Sequence, residues 1–200
     1  MINFIEYELT NSIRALLNSV YNSKNRFYHN YKHINNMLNS LDKIIKEYPE
    51  IDNKIDYKVM RTAILFHDII QGTELNEKYS SEIAEIILRG LYYNESTINK
   101  ICRLILVTDY FIVDSSSMSL EEQLIRDLDL KELASEWQEY QHNGFLIRQE
   151  FSVSQKEFNL GRQKFLEHML SFDKIYSTPY FKQLENKARE NIEKELKFLR

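Results

Sequence analysis

The chain has 200 residues, enough for one domain with a substantial hydrophobic core. Its 43% hydrophobic and 28% charged residues are ordinary for a soluble globular protein, and its 4 Gly and 2 Pro argue against a turn-rich all-β domain. The formal net charge of −4 argues against a protein that wraps a nucleic-acid polymer, but it is compatible with a substrate the size of a nucleotide.

The compartment is expected to be the reducing cytoplasm. The only cysteine, Cys102, lies in an apolar run, so no internal disulfide can form and a buried apolar role is expected for its side chain. The first residues, "MINFIEYELT", do not have the basic and apolar regions of a signal peptide. No window approaches the roughly 20 apolar residues of a membrane span.

Helical periodicity runs through the first half of the chain. Apolar residues recur at spacings of three and four over residues 2–20, 30–48, 56–68, 76–90 and 97–108. The segment 56–68 is apolar on nearly all sides, which predicts a central and mostly buried helix. The stretch "DYFIVDSSSM" then interrupts the pattern.

The second half carries signals for helix starts. "SLEE" and "SQKE" have the Ser-x-x-Glu form of a capping box. "TPY" places Thr178 as an N-cap before Pro179, which predicts a long final helix. Gly144 and Gly161 are candidate breaks, and residues 136–151 can be read as one helix or two. The sequence predicts an all-α fold, a single domain over 1–200 with roughly eight to ten helices.

Histidines and an aspartate occur in two short segments. "RFYHNYKHINNML" sets His29 and His33 one helical turn apart, so both side chains are expected on one face of a helix. "AILFHDII" ends an apolar helix with His67 and Asp68. At the end of a helix, neighbouring side chains can turn toward one point.

A third segment, "RDLDL", adds Asp127 and Asp129. These two carboxylates are separated by about 200° around a helix axis, so both are not expected to bind one ion. Imidazoles and carboxylates from three helices form a mixed nitrogen and oxygen set. That set suits an octahedral divalent ion such as Mn, Fe, Co, Ni or Mg better than a structural zinc, which favours thiolates.

The order His, then His-Asp, then Asp in a helical chain resembles the HD superfamily of metal-dependent phosphohydrolases. "YHNYKHI" is similar to the Tyr-His-Asn-x-x-His segment of cyclic-nucleotide phosphodiesterases, distant members of that superfamily. Similarity to a family of HD phosphohydrolases extends over residues 26–196, through "RFYHNYKHI", "AILFHDI", "NEKYSSE", "RDLDL", "IRQEF", "GRQKFL", "KIYSTPYF" and "ARENIEKEL".

The resemblance implies a role for each matching residue. The implied metal ligands are His33, His67, Asp68 and Asp129, with Asp127 in reserve. His29 is the implied general acid. Glu77 would assist a metal-bound water or would only stabilise the start of its helix. Candidate substrate contacts are Asn76 (alternatively an N-cap), Lys32 (alternatively a surface residue), and Arg148 and Arg162 (alternatively paired with carboxylates).

The resemblance thus implies a phosphohydrolase that uses a divalent metal ion to cleave a phosphate ester or phosphoanhydride of a small, nucleotide-like substrate. The partners expected are that substrate and, as one possible assembly, a second copy of the chain, with no membrane and no nucleic-acid polymer. The alternative is a sensor of the same fold that binds metal and nucleotide without turnover. It is favoured by a departure from the relatives, because residues 108–111 offer no further His. An oxygenase with two irons would need more His ligands than the sequence offers.

Overall fold

The structure, a computed structural model, describes residues 2–111 and 117–199, with side chains from residue 11 onward. Over these residues it consists of nine α-helices joined by short 3₁₀ helices and turns, without a β-strand, so the predicted all-α fold and helix number are confirmed. The helices are α1 Ile2–Tyr21, α2 Tyr31–Glu47, α3 Tyr57–Phe66, α4 Asn76–Gly90, α5 Glu95–Leu106, α6 Leu120–Leu130, α7 Trp137–Gln149, α8 Gln155–Ser171 and α9 Glu185–Leu199.

Side-chain caps set the starts of several helices. Asn30, Asp56 and Asn94 each accept hydrogen bonds from backbone N–H groups of the first turn that follows. At α6 and α8, Ser119 and Ser154 form the reciprocal capping boxes that the sequence predicts. These caps satisfy backbone donors that a helix leaves unpaired at its first turn.

The chain divides into two compact units, 1–110 with α1–α5 and 111–200 with α6–α9. The expectation of a single domain over 1–200 stays a prediction. Within the described part of the chain, no helix combines the length and the apolar character that crossing a bilayer would require.

The first unit is built around α3, which packs against α2, α4 and α5. Most of its apolar side chains are buried, as the sequence predicts; these are Val59, Met60, Ala63, Ile64 and Phe66, while Leu65 is half-buried. Because α3 is central, the residues directly after it emerge from the core of this unit rather than from its surface. His67 and Asp68 occupy that position.

The second unit resolves one open alternative and differs from the sequence-based expectation at its glycines and at its last helix. Residues 136–151 form one helix, α7, and neither Gly144 nor Gly161 breaks the helix that contains it. A methyl group at either glycine would meet no atom within 4 Å, so neither position needs glycine for space. Thr178 and Pro179 open a 3₁₀ helix, Pro179–Leu184, and the final α-helix begins only at Glu185.

Candidate metal centre

The start of α2 places His33. Asn30 is the N-cap, with its side-chain oxygen accepting from the backbone N–H of Lys32 (2.8 Å) and its amide donating to the carbonyl of Phe27 (2.7 Å). These bonds fix the turn that leads into the helix. His33 is the third residue of α2 and its side chain faces the core, 5% exposed.

The end of α3 places the other two candidate ligands. His67 is the C-cap residue, and its backbone N–H still donates to the carbonyl of Ala63 (2.9 Å). Asp68 follows directly, and the two residues are 1% and 8% exposed. Ionisable side chains are seldom this buried unless they are paired or bind an ion.

Three ligand atoms from these helices converge in the first unit. Nε2 of His33 lies 3.4 Å from Nε2 of His67. Oδ2 of Asp68 lies 3.0 Å from Nε2 of His67 and 3.4 Å from Nε2 of His33. Despite these short distances, Oδ2 is buried without a hydrogen-bond partner of acceptable geometry.

A hydrogen bond at Nδ1 of the His67 ring determines whether Nε2, the atom that faces the cluster, can act as a ligand. Nδ1 lies 2.8 Å from the carbonyl oxygen of Ile64. A carbonyl can only accept, so Nδ1 carries a proton, and Nε2 presents a lone pair when the ring is neutral. That lone pair faces the carboxylate oxygen of Asp68. Two acceptors at this separation require a positive charge between or beside them, either a proton or a metal ion.

The spacing of the three atoms suits a divalent metal ion. Protein nitrogen and oxygen ligands bind such ions at about 2.1 Å, which places neighbouring ligands about 3.0 Å apart in an octahedron and about 3.4 Å apart in a tetrahedron. The observed separations of 3.0 and 3.4 Å agree with these values. The donor set and its spacing therefore fit the ion that the sequence predicts, and the cluster could hold one.

The electrostatics of the cluster favour an ionised carboxylate. Burial alone would raise the pKa of Asp68, but the neighbouring imidazoles of His67, His29 and His33 outweigh it and hold that pKa below its usual range. Asp68 is therefore a negatively charged ligand near neutral pH. Metal binding at this position does not first have to remove a proton from it.

A chain of amides orients Asp68. Nε2 of Gln71 donates to Oδ1 of Asp68 (2.6 Å), and Nδ2 of Asn76 donates to Oε1 of Gln71 (3.1 Å). Oδ1 of Asn76 in turn accepts from the backbone N–H of Thr73 (2.9 Å). Metal-binding carboxylates commonly have such outer partners, which fix the direction of the remaining oxygen.

Two residues at this site escape sequence reasoning, Gln71 and Arg26. Gln71 stands three residues after Asp68, and nothing in the sequence distinguishes it from other polar residues. Arg26 lies three residues before His29 and donates to the backbone carbonyls of Asp68 and Ile69.

His29 lies next to the cluster but outside helix α2. It belongs to the turn before Asn30, so the expectation that both histidines share a helix is wrong. The two rings nevertheless meet edge to face, with centroids 5.9 Å apart, and Tyr28 contacts both of them at 4.9 and 5.3 Å. His29 is half-buried and so lies at the border between the cluster and solvent.

The other predicted residues of the first unit take varied positions. Glu77 is half-buried in the first turn of α4. Asn76 is not the N-cap of that helix, because Leu75 holds that position without a side-chain bond, and the Asn76 side chain serves the amide chain instead. Lys32 is exposed, as its alternative assignment to the surface requires.

The two aspartates of α6 have different surroundings within the second unit. Asp127 is fully buried, and its oxygens accept from the backbone N–H of Ser177 (2.8 Å) and from both the N–H (2.7 Å) and hydroxyl (2.6 Å) of Thr178. Burial raises the pKa of Asp127 to about 6 against the opposing effect of these donors. Asp127 thus holds the start of the 3₁₀ helix Pro179–Leu184. Asp129 is half-buried and remains the candidate ligand.

The two candidate arginines form contacts inside the second unit. Arg148 donates to the carbonyls of Phe151 (2.8 Å) and Val153 (2.7 Å), which ties the turn between α7 and α8. Arg162 donates through Nε (2.9 Å) and Nη2 (3.0 Å) to the carboxylate of Glu195. Arg162 is thus paired with a carboxylate, as its alternative assignment holds, whereas Arg148 binds backbone carbonyls. A role of either arginine in binding phosphate stays a prediction.

Comparison with known proteins adds no family to this description. No family model, no curated protein and no solved structure matches the chain. The case for a metal centre therefore rests on the geometry of the cluster itself. An all-helical fold with a His/Asp cluster is compatible with an HD-type domain.

Proposed function

We propose that this chain is a metal-dependent phosphohydrolase that cleaves a phosphate ester or phosphoanhydride of a small, nucleotide-like substrate. One observation carries the proposal. In the first unit, two buried imidazole nitrogens and one buried carboxylate oxygen converge at 3.0–3.4 Å. The carboxylate oxygen, Oδ2 of Asp68, has no hydrogen-bond partner. The choice of phosphate chemistry and of a nucleotide depends on the sequence resemblance to HD phosphohydrolases.

The residues of the chain divide into ligands and proton donors or acceptors. His33, His67 and Asp68 would hold the ion. A bound divalent ion supplies Lewis acidity, which polarises a phosphoryl oxygen and makes a coordinated water a nucleophile near neutral pH. His29, beside His33, would donate a proton to the departing oxygen, and Glu77 would accept a proton from the attacking water.

The fourth ligand is proposed to be Asp129. Both oxygens of Asp127 are engaged with Ser177 and Thr178, so Asp127 would have to abandon three hydrogen bonds in order to bind an ion. Asp129 is the position that the sequence resemblance favours. Four protein ligands would leave about two positions of an octahedral ion for water or substrate oxygens.

The direct test combines metal content with turnover. The wild-type chain and the variants His67→Ala and Asp68→Ala would be loaded with Mn²⁺, freed of excess metal and assayed for bound metal and for phosphate release from a panel of nucleotides. We expect about one ion per chain in the wild type, and neither bound metal nor phosphate release in the variants. His142→Ala and Asp52→Ala, both at exposed positions, are matched controls and should behave like the wild type.

The same experiment separates the enzyme from the sensor. Stoichiometric metal together with tight nucleotide binding and no released phosphate would support the sensor. Phosphate release that persists after the metal is stripped would refute both, because each depends on the ion.

A further inference from the structure

We propose that Arg26, held in place by Tyr21, is a positioning residue that fixes the turn carrying His29 against the end of α3 carrying His67 and Asp68. The inference rests on the proposed function, because the purpose assigned to Arg26 is to preset a metal site. It concerns residues of the first unit only.

The guanidinium of Arg26 binds two segments that are about 40 residues apart in sequence. Nη1 donates to the backbone carbonyl of Asp68 (2.7 Å) and to that of His29 (3.2 Å), while Nη2 donates to the carbonyl of Ile69 (2.8 Å). One planar group thus joins the main chain of the candidate general acid to the main chain of a candidate ligand.

The chemistry of arginine suits this position. The carbonyls of Asp68 and Ile69 follow the last turn of α3, where a helix leaves carbonyl groups unpaired and where positive charge is favourable. Guanidinium offers five N–H donors in a fixed plane, so it can serve three carbonyls at once. A lysine would retain the charge but would place only a point donor at the end of a flexible chain.

The ring of Tyr21 packs against the guanidinium of Arg26. Its ring centroid lies 5.6 Å from the central carbon of Arg26, within the range of a cation–π interaction. Its hydroxyl donates to the carbonyl of Leu65 (2.9 Å), one turn earlier in α3. Tyr21 is 1% exposed, and burial raises the pKa of its hydroxyl well above the ordinary value, so the group stays a donor.

Tyr21 and Arg26 together therefore fasten four carbonyls: those of His29, Leu65, Asp68 and Ile69. Their contacts are to backbone carbonyls and to each other, so neither is assigned as a ligand or an acid. They act through the backbone, whose position fixes the points from which the side chains of His67 and Asp68 extend. Outer residues of this kind typically contribute about 10- to 100-fold in metal affinity.

The test compares Arg26→Lys and Arg26→Met with the wild type and with Arg89→Met. Arg89 is a matched control because it also lies in the first unit and pairs with Glu85 and Glu95 at the surface. Each metal-free protein would be checked by far-ultraviolet circular dichroism and thermal melting, and then titrated with Co²⁺ while its visible spectrum is recorded. Arg26→Lys is the more informative variant, because it preserves the charge and so reports geometry.

We expect both Arg26 variants to fold and to bind Co²⁺ about 10- to 100-fold more weakly than the wild type, with an altered spectrum, whereas Arg89→Met binds normally. A lower melting temperature with unchanged Co²⁺ affinity would make Arg26 a purely structural residue and overturn the inference. Failure of both variants to fold would overturn it in the same way. If the wild type itself binds no metal, the proposed function fails, and this outcome is distinct from failure of the inference alone.

Discussion

Asp68 uses its two carboxylate oxygens differently. Oδ1 accepts a hydrogen bond from Gln71, and Oδ2 faces the two imidazoles. A carboxylate that is held by one oxygen presents the other in a fixed direction, which lowers the cost of arranging ligands when an ion binds. Gln71 is itself held by Asn76, so the orientation of Asp68 originates at the start of α4.

This arrangement predicts that Gln71→Leu weakens divalent-metal affinity by about 10- to 100-fold. Leucine approximates the size of glutamine and removes the donor, so the carboxylate becomes free to rotate. Asn76→Ala removes the next link only and should have a smaller effect. Isothermal titration with Mn²⁺ measures both, and equal affinity in Gln71→Leu and the wild type would contradict the orienting role.

The two aspartates of α6 should respond in opposite ways to the same change. Asp127→Asn places an amide N–H₂ group against buried donors of Ser177 or Thr178, and should lower the free energy of unfolding by about 1–3 kcal/mol. Asp129→Asn should reduce bound metal, because Asp129 is the proposed fourth ligand. Urea unfolding and metal analysis of both variants test this, and loss of metal only in Asp127→Asn would reverse the assignment.

The sequence identifies the ligands better than the residues that support them. His33, His67 and Asp68 stand out because few residue types bind metals and their spacing is distinctive. Arg26 and Gln71 do not, because their partners are backbone carbonyls and a single carboxylate oxygen, which leave no pattern in a sequence. Helix geometry predicts that Asp127 and Asp129 do not both bind one ion. The contacts of Asp127 with Ser177 and Thr178 show that this residue stabilises the fold.

At the scale of helices, local signals are easier to read than distant ones. The capping boxes at α6 and α8 join residues three apart, so Ser-x-x-Glu is enough to predict them. Helix α4 begins at Asn76 after an N-cap residue, Leu75, that makes no side-chain cap bond, so apolar periodicity is the signal that predicts this helix. Gly144 lies inside α7 because the residues on either side of it are helical. A glycine weakens a helix without necessarily ending it.

The capping box of α8 predicts a pH-dependent stability. Hydrogen bonds with Ser154 lower the pKa of Glu157 from its ordinary value of 4.5. The side chain of Ser154 has the larger effect and its backbone N–H the smaller. A carboxylate whose pKa is lowered by folding stabilises the protein above the unfolded-state pKa, and that stabilisation is lost as the pH falls through the folded-state pKa.

Glu157→Gln should therefore lower the melting temperature at pH 7, and the difference from the wild type should shrink as the pH is lowered below about 4.5. Thermal melts of both proteins between pH 7 and pH 3 measure the difference. Glu167→Gln, the same change at an exposed site of the same helix outside the cap, controls for general effects of charge. A difference that is constant with pH would show that the carboxylate charge contributes nothing to the cap.

At the scale of the whole molecule, composition does not reveal the division into two units. The boundary near residue 110 has no Gly- or Pro-rich linker, and the division follows from which helices pack together. The three converging ligand atoms all belong to the first unit, between the start of α2 and the end of α3. Metal binding should therefore act first on the stability of that unit.

Stability should accordingly depend on metal concentration. An ion that binds only the folded state adds about 2.7 kcal/mol to the apparent free energy of unfolding when its free concentration is 100 times the dissociation constant. We expect Mn²⁺ to raise the melting temperature of the wild type and of His142→Ala, but not that of His67→Ala. Hydrogen exchange should slow most in α2 and in the last turn of α3, because the ligands on these two helices would be joined through the ion. Slowing spread evenly over all described helices would instead indicate non-specific binding of cations to a chain of net charge −4, since acidic side chains are distributed over its whole length.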